Sequence, residues 1–213
     1  MRNDTQQPPL APNPKLLIYC PILVSPANFE ARFSGIAEMP FFVKTAAVTC
    51  SLLLCALAQA AEPVIAWPSG WQVEVLPEQP AELSSKVSRQ RAVKNDASGT
   101  PVLVMELTMT EVESGHAVNL QGVLLEMRKS VQKDFAQGGY QSVCNRIHEA
   151  QLSRLSALET TCTITQNGRH VLSQTLVAAL DADKAYVLSY AGQAAAYAES
   201  QDEILATRNS LKL

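Results

Sequence analysis

The feature that most limits what this chain can fold into is an apolar run from Thr45 to Ala58, because it divides the 213 residues into a leader and a domain. Lys44 precedes the run, and Ala58-Gln59-Ala60 places small side chains where a signal peptidase reads, which predicts cleavage after Ala60. A membrane anchor needs about 18 or more apolar residues. This run is shorter and ends in a small-residue site instead of a charged stop. Leu52-Leu53-Leu54-Cys55 has the outline of a lipobox, but Leu54 is bulky where a lipoprotein peptidase needs a small residue. Met39 supplies an initiator for this leader. Residues 1–38, with prolines at 8, 9, 12, 14, 21 and 26, therefore read as a mis-called extension or a disordered arm ahead of a signal peptide at 39–60. The expected location is the periplasm.

The expected mature domain, residues 61–213, carries 13 of the 17 basic and 17 of the 20 acidic side chains, a net charge of −4. A chain of that length buries roughly 68–70% of its unfolded surface, enough for a core without help from a metal. The mildly acidic balance argues against nucleic acid or anionic lipid as the main partner, and no stable membrane insertion is expected once the leader is gone. With 47% hydrophobic residues and only 9 glycines in the chain, collagen-like and polar disordered classes are excluded, and no internal repeat is visible.

Two periodicities organise this domain. Trp71, Val73 and Val75 alternate with Gln72 and Glu74, the period of a half-buried strand over 71–76. Lys86–Lys94 reads as a polar, edge-like strand and Pro101–Val112 as a third, with Leu103, Met105, Leu107 and Met109 on one face. The period then changes. Leu120, Val123, Leu124, Met127, Val131 and Phe135 recur at three and four residues, predicting an amphipathic helix over 119–136 with Asn119 capping its start and Gly138 its end. From Ser142 the alternation returns, giving strands near 142–152, 157–166, 169–180 and 184–191. Asn167-Gly168 and Asp181-Ala182-Asp183-Lys184 form turns, and Ser200-Gln201-Asp202-Glu203 is a capping-box sequence opening a last helix. The fold class is α+β: an antiparallel sheet of about six to seven strands flanked by helices.

That order resembles the PsbP-like fold, on the strength of the opening Trp71 strand, the helix at 119–136, and Lys184-Ala185-Tyr186-Val187-Leu188-Ser189-Tyr190 followed by a terminal helix. The segments WPSGWQVEV, AYVLSYA and RNSLKL are similar to a family of uncharacterised secreted bacterial proteins. The resemblance implies a binding or assembly role and carries over no catalytic residue.

Chemistry is sparse. No spacing of His, Cys, Asp and Glu matches a zinc motif, and Glu111, Glu113 and His116 read as a solvated loop and not as ligands, so neither metal nor cofactor is expected. Cys144 and His148, four apart on one strand, would share a face about 13 Å apart, too far for a nucleophile and its base. No nucleophile elbow, phosphate loop or dinucleotide fingerprint occurs. Trp71, Tyr186 and Tyr190, with Trp67 and Tyr197 nearby in sequence, are candidates to line a groove, against the alternative of core packing. The expected function is a non-catalytic binding or assembly accessory for a protein or small-molecule partner. An inhibitor or immunity-type protein against a secreted enzyme and an unrecognised hydrolase are the alternatives.

Cys144 and Cys162 are the cysteines left after cleavage, and an oxidising compartment favours their pairing. Both are equidistant from residue 153, so a hairpin turning near Ser153–Ser156 sets them opposite each other at about 4.5 Å between Cα atoms. A register slip of one residue would forbid the bond.

Overall fold

Alternating side chains joined by tight turns build most of this structure, a computed structural model that describes residues 63–76, 87–112 and 117–212. The expected leader, and with it Glu113 and His116, lie outside the described residues. Eight strands form one sheet: β1 (Gln72–Val75), β2 (Val87–Asn95), β3 (Pro101–Glu111), β4 (Gln141–Cys144), β5 (His148–Leu152), β6 (Leu155–Gln166), β7 (Arg169–Asp181) and β8 (Lys184–Gln193). Among the described residues three helices accompany them: α1 (Leu120–Gln137), α2 (Ala194–Glu199) and α3 (Gln201–Ser210). Every pairing is antiparallel. The order is β1-β2-β3-β8-β7-β6-β4, with β5 also paired to β6. This is the α+β sheet with flanking helices that the periodicity predicts.

Each hairpin turns through residues in the left-handed backbone region. Asn167 and Gly168 sit at φ +50° and +76°, as a type I′ turn requires, and Ser153 and Ala182 take φ +54° and +50° in the β5–β6 and β7–β8 turns. Between them, β6, β7 and β8 form a continuous meander. Long-range pairing then brings β8 against β3, with Met105 opposite Tyr190 and Leu107 opposite Leu188.

Strict alternation gives the sheet two different faces. On the first, Leu103, Met105, Leu107 and Met109 of β3 join Tyr186, Leu188 and Tyr190 of β8, and Ile204, Leu211 and Trp71 cover them. On the second, Leu124, Met127, Val131 and Phe135 of α1 pack on Cys162, Ile164, Leu176 and Ala178. Asn119 caps α1 through its side-chain oxygen, which accepts from Gly122 N at 3.1 Å. The left-handed residue at the other end is Gly139 at φ +78°, one position later than expected; Gly138 stays at φ −83°, still bonding to the last turn.

Several expectations need correction. The segment 142–152 is two strands, because the chain leaves the ladder at residues 145–147. β2 is polar but lies between β1 and β3, and its arginines are paired within the sheet. In β1 only the preceding Trp71 reaches the core; Val73 and Val75 are 50% and 81% exposed, because the sheet edge outruns the elements covering that face. The capping box at Ser200 does not form. Lys94 Nζ instead bonds Ser200 Oγ and Glu203 Oε2, and a short helix, α2, already occupies the residues before it.

Candidate binding surface

Helix α1 covers only part of its face of the sheet. It packs on β4, β6 and β7, while β1, β2 and β3 continue the same face beyond it. Across those strands runs a row of directly opposed residues: Glu74, Arg91, Glu106 and Ser189. A neighbouring row places Val93 opposite Val104, and a shallow depression forms between Gln72, Glu74, Arg91, Val93 and Val104.

The centre of this half-sheet is an ionic clamp. Glu106, between Met105 and Leu107 in β3, is 4% exposed. Its Oε1 accepts from Arg89 Nε at 2.9 Å and Nη2 at 2.6 Å, and its Oε2 accepts from Arg91 Nε at 3.1 Å and Nη2 at 2.8 Å. Strand register explains the geometry. Arg91 is directly opposite Glu106, and Arg89 lies diagonally, within reach of a long side chain. Both carboxylate oxygens are saturated by charge-assisted bonds, so Glu106 acts as a structural anchor and not as a free base. The triad carries one net positive charge, and Glu74 stands opposite Arg91 at the strand edge.

On the other face, polar contacts dock the C-terminal helices. Arg208 Nη1 donates to Glu159 Oε2 and its Nε donates to the Gln151 carbonyl. Thr175 Oγ1 lies 2.6 Å from both Thr161 Oγ1 and the Tyr197 hydroxyl, and the Tyr197 ring stacks on Tyr190 with centroids 5.8 Å apart. Burial pushes the hydroxyls of Tyr190 and Tyr197 above the usual tyrosine range, so neither is poised to lose its proton at neutral pH.

Trp71, Tyr186 and Tyr190 are all buried in the first-face core, in one cluster with Ile204 and Leu211 of the C-terminal segment. The Lys94 ammonium sits 5.8 Å from the Trp71 ring centroid, and Trp71 Nε1 is buried without a hydrogen-bond partner among the described residues. Cys144 stands opposite Cys162 with the sulfur atoms 1.98 Å apart. His148 is paired with Glu159 on the opposite face from Cys144, with its Nε2 3.8 Å from Glu159 Oε1, because the break at 145–147 inverts the alternation. Glu111 ends β3 exposed. Among the described residues no group of three or more His, Cys, Asp and Glu side chains is placed to hold a metal ion, and no helix is long and apolar enough to cross a membrane.

The clamp was not anticipated. Its trace in the sequence is a single carboxylate inside Pro101–Thr110, facing two arginines spaced by two on the preceding strand.

A family described as "Domain of unknown function (DUF4946)" matches residues 62–213. Among solved structures, cyanobacterial PsbP (CyanoP) from Synechocystis sp. PCC 6803 is similar at a TM-score of 0.51 and 11% identity, covering 71% of this chain and 86% of that one. LpqN, described as involved in cell envelope biogenesis of Mycobacterium tuberculosis, is similar at a TM-score of 0.43 and 15% identity, covering 73% and 86%. At these identities the likeness concerns fold. No curated protein matches closely enough to count as a relative.

Proposed function

The chain belongs to the DUF4946 family and carries a PsbP-like fold, and from that premise we propose that it is an exported, periplasmic, non-catalytic accessory that works by binding. The observation that carries the reading is the half-sheet of β1, β2 and β3 extending beyond α1, built from charged, hydroxyl and aliphatic side chains around a saturated clamp. A nucleophile or general base needs a free lone pair in reach of a substrate. Glu106, the most buried carboxylate of this surface, has both oxygens occupied. Rigid strands, pinned side chains and a mixed polar and aliphatic surface suit recognition.

Export is supported by the Lys44–Ala60 leader and by two cysteines placed at bonding distance. A photo-crosslinking residue at Val93 or Thr108, on the half-sheet, should capture a partner in intact cells, while one at Lys133 on the outer side of α1 should not. Equal labelling from all three positions would sink the assignment of the surface. N-terminal sequencing of the periplasmic protein should begin at Ala61; a chain retaining residues 1–38 would overturn the leader reading.

A further inference from the structure

The junction between β4 and β5 holds one residue too many. On β5 and β6 the register runs from Leu152 opposite Leu155 to His148 opposite Glu159. Continued unbroken, it would set Asn145 opposite Cys162 and Val143 opposite Ile164. Instead Cys144 faces Cys162, Val143 faces Thr163 and Ser142 faces Ile164. Asn145, Arg146 and Ile147 therefore stand against Thr160 and Thr161 alone, which is a β-bulge. Asn145 fastens it: its Oδ1 accepts from Thr161 N at 2.8 Å and from Thr160 Oγ1 at 3.1 Å.

The bulged register leaves two side chains badly placed. Ser142 Oγ is buried without a hydrogen-bond partner among the described residues. Its neighbour Val143 is 72% exposed on the other face. Sliding β4 by one residue exchanges them, because a one-residue shift turns every side chain to the opposite face. Val143 would then lie under α1 against Ile164, and Ser142 would face water. The bond between Cys144 and Cys162 blocks this movement, since the slide turns Cys144 away from its partner.

We propose that this disulfide is a redox latch on strand register: reduction lets β4 slide by one residue, erasing the bulge and burying Val143 beneath α1. In the reduction, a dithiol gives up two electrons and two protons and closes to its own disulfide, while the Cys144–Cys162 bond breaks to two thiols. β4 is a four-residue strand at the sheet edge, so the slide remakes its pairing with β6 and its contacts with α1, and Asn145 gives up its bonds to Thr160 and Thr161 as it comes opposite Cys162. The displaced residue enters the Gly138-Gly139 turn. Among the contacts that move are Arg128 Nη2 to the Cys144 carbonyl and Gln132 Nε2 to the Ser142 carbonyl.

The test is NMR of the isotope-labelled protein, first oxidised, with the bond verified by mass, and then held in excess dithiothreitol. The oxidised protein should show cross-strand contacts between residues 143 and 163. The reduced protein should lose them and gain contacts between 143 and 164, with slower amide exchange at Val143. Val143→Asp should keep the 143–163 contacts in the oxidised protein and return the reduced protein to the bulged register, because the slide would bury a charge. A reduced protein that keeps the 143–163 contacts, or one whose β4 shows neither set, overturns the proposal. So does a reduced Val143→Asp protein with the 143–164 contacts.

Discussion

Replacing Glu106 by Ala removes the carboxylate that holds Arg89 and Arg91 together, and the structure sets the size of the effect. At about 4 Å and an effective dielectric near 20, each guanidinium–carboxylate pair is worth roughly 4 kcal/mol before desolvation is counted. Two such pairs meet at one side chain that is 4% exposed, beside arginines that are 16% and 15% exposed. Desolvation offsets several kcal/mol of that attraction, so the intact clamp contributes little net stability. Breaking it is different, because two like charges stay behind, mostly shielded from water and adjacent. The expected cost is about 3–5 kcal/mol, large against the roughly 5–15 kcal/mol that a domain commands. Urea unfolding followed by circular dichroism should show a lower midpoint with the slope unchanged. Converting the whole triad to apolar residues, with Glu106→Leu, Arg89→Met and Arg91→Met together, should recover most of the loss, since no unpaired charge remains. A single Glu106→Ala variant within about 1 kcal/mol of the parent would refute the reasoning, as would a triple variant no more stable than the single one.

Leu124→Asp puts an unpaired charge at a fully buried position under α1 and should cost several kcal/mol, about the upper end for one substitution, whereas Lys129→Ala removes an exposed pair with Glu126 and should cost under about 1 kcal/mol; matching melting temperatures for the two would contradict the assigned face. Replacing Cys144 and Cys162 by Ala should lower stability by roughly 3 kcal/mol in the chain-entropy model, given their separation of 18 residues. Mass spectrometry of the unreduced parent should find no free thiol at either position. Tyr186, Tyr190 and Tyr197 are all pushed above the ordinary tyrosine value of about 10, mainly by burial. Their contribution is fully present below pH ~10 and is lost as pH rises, because the unfolded chain releases those protons first; a melting temperature that is flat from pH 9 to about 11.5 would show the shift to be absent.

What was legible in the sequence is what neighbouring residues decide among themselves. The change of period at Leu120 marks α1, because a helix aligns residues three and four apart and that pattern needs no partner to be recognised. Asn167-Gly168 marks its hairpin because positive φ is a local preference of those two residues. The α+β class and the PsbP-like likeness follow from the order of such elements. Tertiary structure decided whatever depends on parity or on distant strands. One inserted residue at 145–147 sets which face each β4 side chain occupies, so Cys144 and His148 point opposite ways although their spacing alone puts both on one face. Glu106 reads as an oddity between Met105 and Leu107 until the register of β2 brings Arg89 and Arg91 to it. The extent of α1 across the sheet is likewise invisible in its own sequence, because an amphipathic stripe specifies that a face is buried, and only the pairing order β1-β2-β3-β8-β7-β6-β4 determines which strands it buries and which lie beyond it.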